Sequence, residues 1–171
     1  MISKQNYIRN NGLVNDLDRI DRQLVQLLQN NGRISNKELA AQVGLAPSSC
    51  LERIRRLFQN GVIKGIHADV DAKALGIGLQ AIYFIELAKH RQEMVESFES
   101  EILQMPEVLS VYLIAGRHDF LVHVAVRDTQ HLRNLALDTF TNRPEVTRIE
   151  TALIFNYARC FELPNYLERD L

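Results

Sequence analysis

Tryptophan is absent from this 171-residue sequence, cysteine occurs only at Cys50 and Cys160, and proline occurs only four times. Two cysteines so far apart, with no second Cys or His at zinc-finger spacing, argue against a disulfide framework and fit a reducing cytoplasm. No run of 18 apolar residues is present, which argues against a membrane span. Met1-Ile2-Ser3-Lys4-Gln5-Asn6 lacks the apolar stretch of a secretory signal. The five histidines include no helical i, i+4 pair and no H-E-x-x-H pattern, so neither a metal nor another cofactor is expected. Net charge is also scarce, at -1 overall, yet the two ends differ. Residues 1–70 carry 10 Lys and Arg against 6 Asp and Glu, and the remainder carries 10 against 15. A basic front and an acidic rear point to a nucleic-acid partner for the front alone.

What is present in the front is a helix-turn-helix pattern over Leu17–Ile63. A polar, Asn-rich arm (1–14) precedes it, and Asn15 or Asp16 is placed to cap a first helix whose apolar face is Leu17, Ile20, Leu24, Leu27 and Leu28. Asn30-Asn31-Gly32 should end it through residues that tolerate the left-handed conformation. Ser35 and Glu38 form a capping-box pair. The second helix runs to Val43 with Leu39, Ala40 and Val43 inward, and Gly44 allows a tight turn. Pro47 then suits the first turn of a third helix.

In that third helix Cys50, Ile54 and Leu57 repeat as a core stripe, flanked by Leu51 and Phe58. Ser48, Ser49, Glu52, Arg53, Arg55 and Arg56 are left for solvent or the major groove of DNA. Ser48, Ser49 and Glu52 are nearest the end that reaches base edges, Leu51 can meet a thymine methyl, and the arginines can meet guanine or phosphate. The competing reading is a solvated, salt-bridged face in a protein-interaction bundle. Val62–Val70 alternates as a strand, on which Lys64 and His67 can approach DNA as a wing would. Asp71–Gly78 reads as a linker.

From Leu79 the period becomes strand, helix, strand, strand, helix, strand: strands at 79–87, 108–115, 120–126 and 146–155, helices at 91–104 and 129–140. Two βαβ-like halves imply a ferredoxin-like sheet with both helices on one face. Ile82 and Phe84 then point away from Ala81, Tyr83 and Ile85, and Phe120–Val126 is apolar on both sides. The uncovered face calls for a second subunit, which would also pair two reading heads. Between the middle strands, Ile114–Phe120 forms a loop in which Gly116 permits an unusual turn, Asp119 suits an ammonium group, and Arg117 suits a carboxylate. The alternative is a hairpin in which Asp119 bonds only its own backbone.

These residues resemble the Lrp/AsnC (feast/famine) family of bacterial and archaeal transcription regulators. The marks are Leu17-Asp18-Arg19-Ile20-Asp21, Gly32-Arg33-Ile34-Ser35, Glu38-Leu39-Ala40, Gly44-Leu45, Leu51-Glu52-Arg53-Ile54-Arg55-Arg56-Leu57, Gly61-Val62-Ile63 and Gly116-Arg117-His118-Asp119-Phe120. The run Pro47–Arg53 is similar to that of the leucine-responsive branch. The resemblance implies a regulator that is not an enzyme and needs no cofactor. It implies double-stranded DNA and a small amino-acid effector as partners, and homodimers assembling to octamers. Ser35, Pro47, Ser48, Ser49, Leu51, Glu52, Arg53, Arg55 and Arg56 are then the expected DNA-binding set. By position, Asp119 matches the acidic residue that engages the effector amino group and Gly116 the loop glycine. Ala115, Arg117, His118, Thr129, Thr151 and Ala152 fall near the effector pocket or response region. Ala115 stands where Ser or Thr is common, Arg117 where Asp or a small residue is, and His118 where Tyr or Phe is usual. Ala152 replaces a larger side chain.

The expected fold is α+β: a winged helix-turn-helix (15–63), a strand and linker (64–78), and an effector-binding, oligomerising domain (79–171). Two other readings compete. Some relatives of this fold are sirohaem decarboxylases, whose pattern includes tryptophans that are lacking here. A module using its sheet as a docking platform is the third, separable by the salt dependence of duplex binding.

Overall fold

The computed structural model describes residues 17–88 and 92–167, and its contacts divide into two compact units, 1–69 with 158–171, and 70–157. In the first unit three helices, α1 (Arg19–Asn30), α2 (Asn36–Val43) and α3 (Pro47–Gln59), close around Leu24, Leu39, Ala40, Val43, Cys50 and Leu57. The cap of α1 is Asp18, not Asn15 or Asp16, which lie outside the described residues. The Asp18 carboxylate accepts from the Asp21 amide at 2.8 Å. Nor does α1 end in a left-handed residue. Asn31 is extended, and Gly32 is needed for a different reason, since a Cβ there would lie 2.6 Å from the Ile66 side chain.

The capping box forms as expected: Ser35 Oγ accepts from the Glu38 amide, and the Glu38 carboxylate accepts from both the Ser35 amide (3.0 Å) and its hydroxyl (2.8 Å). These bonds hold the Glu38 carboxyl below its ordinary range. Gly44 ends α2 at φ 69°, a conformation that disfavours any side chain. Ser35→Ala is expected to cost about 1 kcal/mol of stability, read as a lower melting temperature of the full chain.

Past α3 the expected strand does not form. Residues 62–70 carry no ladder among the described residues. Alternation makes a strand possible, but backbone donors need a partner edge to make one. The linker is more ordered than expected, with a 3₁₀ turn at Ala72–Leu75 closed by Gly76 at φ 76°. Residues 158–167, expected with the rear domain, belong to the first unit. Glu162 accepts from Gln26 (2.9 Å) and Asn30 (3.2 Å), and the Leu163 amide donates to Gln29 (2.8 Å).

The second unit is the ferredoxin-like sheet: β1 (Leu79–Leu87), α4 (Gln92–Ile102), β2 (Val108–Leu113), β3 (Phe120–Val126), α5 (Thr129–Leu135) and β4 (Val146–Ile154), in order β2-β3-β1-β4, antiparallel throughout. Gly78 lets the chain enter β1 beside β3, because a Cβ there would sit 2.0 Å from the Arg127 carbonyl. Ala81, Tyr83, Ile85 and Leu87 share a core with Phe98, Ile102, Phe120, Val122, Val124 and Phe140. Phe98 packs on Phe120 at 4.9 Å between centroids and Tyr83 on Phe140 at 5.2 Å. The buried Tyr83 hydroxyl donates to the Leu132 carbonyl at 2.5 Å, one turn before α5 loosens into a π turn at Ala136–Thr141.

On the opposite face lie Gln80, Ile82, Phe84, Leu121, His123, Ala125 and Ile154, with Tyr112 at the β2 edge. His123 Nε2 is 2.8 Å from Gln80 Oε1, and burial holds the imidazole below its ordinary value. An unfolded chain therefore takes up this proton at higher pH than the folded one. The His123 contribution is complete above about pH 6.5 and declines as pH falls toward the depressed folded value. His123→Gln is expected to flatten that decline in melts between pH 5 and 8.

Candidate functional site

Two groups of residues carry the sequence-level expectations, one in each unit. On α3, Pro47 occupies the first turn as expected, and the Asn36 side chain donates to its carbonyl at 2.8 Å, fixing α2 against the start of α3. Pro47, Ser48, Ser49, Glu52, Arg55, Arg56 and Gln59 are exposed, and Leu51 lies at the side of that surface, 39% exposed. At about 100° per residue, Ser48, Glu52, Arg55 and Gln59 form one ridge opposite Cys50, Ile54 and Leu57. Ser49, Glu52, Arg53, Arg55, Arg56 and Gln59 border a shallow depression of about 550 Å³.

Arg53 departs from the expected open flank. Its Nη1 meets Asp18 Oδ2 at 2.5 Å and Asp21 Oδ1 at 2.8 Å, and its side chain is only 28% exposed. Arg56 Nη2 meets the other Asp21 oxygen at 2.9 Å, with the side chain 53% exposed. The amide at the start of α1 and the Arg53 guanidinium lower the Asp18 carboxyl, and the two aspartates raise the Arg53 guanidinium. Ser35, expected at the interface, has its hydroxyl engaged as donor and acceptor within its own helix cap. Arg33 and Lys37 are exposed cations beside that cap that sequence reasoning passed over; their place at a helix N-terminus, where phosphates bind, was the available signal.

The β2–β3 loop forms the second group. Asp119 is half-buried, its amide donates to the Ile85 carbonyl (2.9 Å), and its Oδ2 accepts from the Leu87 amide (2.7 Å). It therefore bonds the neighbouring strand and not only its own turn. Gly116 has no left-handed φ, and a Cβ there would meet nothing within 4 Å, so its turn does not require glycine. Ala115 is exposed beside it. Arg117 Nη2 is 3.3 Å from Glu150 and its Nε 3.9 Å from Glu86. The His118 ring lies 5.2 Å from Phe84 with Nε2 3.7 Å from each of the same carboxylates. That nitrogen is buried without a hydrogen-bond partner among the described residues. Arg148 joins at 2.8 Å from Glu150. Glu86, Arg148 and Glu150 were not foreseen, because only the strand order brings β1 and β4 beside this loop.

The remaining expected residues do not converge there within one chain. Thr151 is paired with Tyr83 and Ala152 with Ile82, so they address opposite faces of β4. Thr129 opens α5 after the far end of β3, which seven residues of strand place about 20 Å from the loop. The histidines do not converge either: His67 lies in the segment after α3, His118 in the loop, His123 on β3 and His131 on α5. His90 lies outside the described residues.

An AsnC-type helix-turn-helix domain profile matches residues 17–57, and an Lrp/AsnC ligand binding domain profile matches residues 80–159. HTH-type transcriptional regulator AldR of Mycolicibacterium smegmatis is 42% identical over 144 residues, covering 84% of this chain and 84% of AldR. The leucine-responsive regulatory protein of Escherichia coli K12 is 36% identical over 139 residues, covering 81% and 85%. The crystal structure of a Neisseria meningitidis transcriptional regulator in complex with L-Met matches with a TM-score of 0.77 at 29% identity, over 85% of this chain and 94% of that one. These relatives are regulators and not enzymes.

Proposed function

Because the chain belongs to the Lrp/AsnC family of transcriptional regulators, we propose that it reads duplex DNA sequence-specifically through α3 and that a small amino acid modulates its assembly or DNA affinity. The observation that carries the DNA reading is the exposed Ser48–Glu52–Arg55–Gln59 ridge on a helix whose opposite face is locked into the core. A major groove admits such a helix, its polar side chains reaching base edges and its cations reaching phosphates. Fluorescence anisotropy with labelled duplexes across a salt series tests this. Log affinity should fall steeply with log salt, and a flat response would favour the docking-platform reading. Glu52→Ala should relax preference at one base-pair position, by about 1–3 kcal/mol of discrimination, while changing affinity for random duplex little; selection from a randomised duplex pool reads this out.

The proposed effector seat is the loop from Ala115 to Asp119. A zwitterion presents an ammonium and a carboxylate; the loop carries Asp119, and its Arg117 meets Glu86 and Glu150, the latter also met by Arg148. The Neisseria relative's complex with L-Met supports the amino-acid class. Thr129, Thr151 and Ala152 act from such a seat only as parts of an interface with another copy, which fits the homodimers and octamers we infer. The ligand shifts assemblies only through its difference in affinity for them. Sedimentation and duplex binding across a panel of L-amino acids decides it: no amino acid altering either one ends the effector proposal. The chain acts in the cytoplasm, where its DNA is.

A further inference from the structure

Resting on the DNA reading above, we infer that the two aspartates at the start of α1 sort the three arginines of α3 by task. Arg53 is withdrawn as an internal clasp, Arg56 is aimed by Asp21, and Arg55 is left uncommitted among the described residues. Counting from Ser48 at about 100° per residue, Arg53 lies at about 140°, on the shoulder between the exposed ridge and the buried stripe. Arg56 lies at about 80° and Arg55 at about 340°, on the ridge. Sequence spacing therefore already sets Arg53 apart, and α1 completes the separation.

Asp21 is 4% exposed and has both oxygens occupied, Oδ1 by Arg53 and Oδ2 by Arg56. Asp18 divides its oxygens in the same way, one on the amide of Asp21 and one on Arg53. A phosphate approaching Arg53 meets a guanidinium already neutralised by two carboxylates, in a place half closed to solvent. Its attraction is cancelled at short range, and the contact would strand a buried carboxylate. Arg56 differs: one of its five N–H donors is on Asp21 and the rest of the group is half-exposed. Asp21 thereby holds the plane of that guanidinium in one orientation before DNA arrives. Asp21 is a positioning residue for DNA recognition, touching no DNA itself.

The salt dependence of duplex affinity reads this sorting directly, since each phosphate neutralised contributes about 0.9 to the slope of log affinity against log salt. Full-length wild type, Arg53→Gln, Arg55→Gln, Arg56→Gln and Asp21→Asn are compared by anisotropy on one duplex. Arg55→Gln and Arg56→Gln should each reduce the slope by about 0.9 per engaged head, while Arg53→Gln lowers the melting temperature and leaves the slope unchanged. Asp21→Asn should release Arg53 toward the phosphates, steepening the slope and narrowing the affinity ratio between preferred and random duplex. A purely structural Asp21 would change melting alone. If Arg53→Gln loses as much slope as Arg55→Gln, or Asp21→Asn leaves slope and ratio intact, the sorting is wrong. Should Arg53→Gln fail to fold, Asp21→Asn decides by the same two readings. Wild type without salt-dependent duplex binding overturns the DNA reading, and the sorting with it, which distinguishes the two failures.

Discussion

Ile82→Glu should yield particles of single-chain mass by sedimentation, with helix and strand content retained. The alternation of β1 turns Ala81, Tyr83, Ile85 and Leu87 into the helix-covered core and leaves Ile82 and Phe84 on the other side. Pairing in register extends that second surface across the sheet: Ile82 lies beside His123 and Ala152, Phe84 beside Leu121 and Glu150. Burying each such apolar side chain against a second copy contributes about 1.5–3 kcal/mol. A carboxylate in its place removes that gain and adds a desolvation cost of several kcal/mol. Single chains bear the change because Ile82 is half-buried and its face is open in them. Lys73→Glu, the same kind of charge change on the exposed 3₁₀ turn, serves as the control and should leave the mass unaltered. Separated chains also lose the linkage of two reading heads, worth about 10²–10⁴ in apparent affinity. An Ile82→Glu protein that sediments with wild type would show that the open face is not the assembly surface.

Local rules made much of this legible in the letters, and longer-range ones did not. The Ser35–Glu38 cap, Pro47 at the head of α3 and the two faces of β1 each follow from neighbours a few residues apart, where helix and strand periods operate directly. The clasp of Arg53 and Arg56 on Asp21 spans more than thirty residues and depends on how α1 crosses α3. A helical wheel could have raised suspicion of Arg53, yet it names no partner. Residues 62–70 fail in the other direction, since their alternation satisfies the strand pattern while no ladder forms on them among the described residues. The loop shows both sides. Asp119 stood out from its motif, whereas Glu86 and Glu150 became its neighbours only through the order β2-β3-β1-β4. Gly116 misled because glycine at a turn suggests positive φ, and this one does not adopt it.

Asp119→Asn and Asp119→Ala together separate the two tasks we assign to this carboxylate. In the structure its Oδ2 accepts from the Leu87 amide at 2.7 Å, tying the loop to the end of β1. Asparagine keeps an acceptor oxygen for that amide and removes the charge, whereas alanine removes both. A charge-assisted hydrogen bond to an ammonium group is worth about 1.5–3 kcal/mol, so either substitution should weaken amino-acid binding by about 10- to 100-fold in calorimetric titration. Only alanine should also lower the melting temperature appreciably, by leaving the Leu87 amide without its partner at a cost of about 1–3 kcal/mol. Because the loop belongs to the unit of residues 70–157, neither variant should change the salt slope of duplex binding measured without amino acid. An Asn variant that binds the amino acid as tightly as wild type would reduce Asp119 to the strand tie and move the ammonium site to Glu86 or Glu150. Those carboxylates already face Arg117 and Arg148, so an ammonium there would have to compete with guanidinium groups of the protein itself. Asp119 is the carboxylate of the loop itself, held in place by the Leu87 amide, and the charge effect is expected there first.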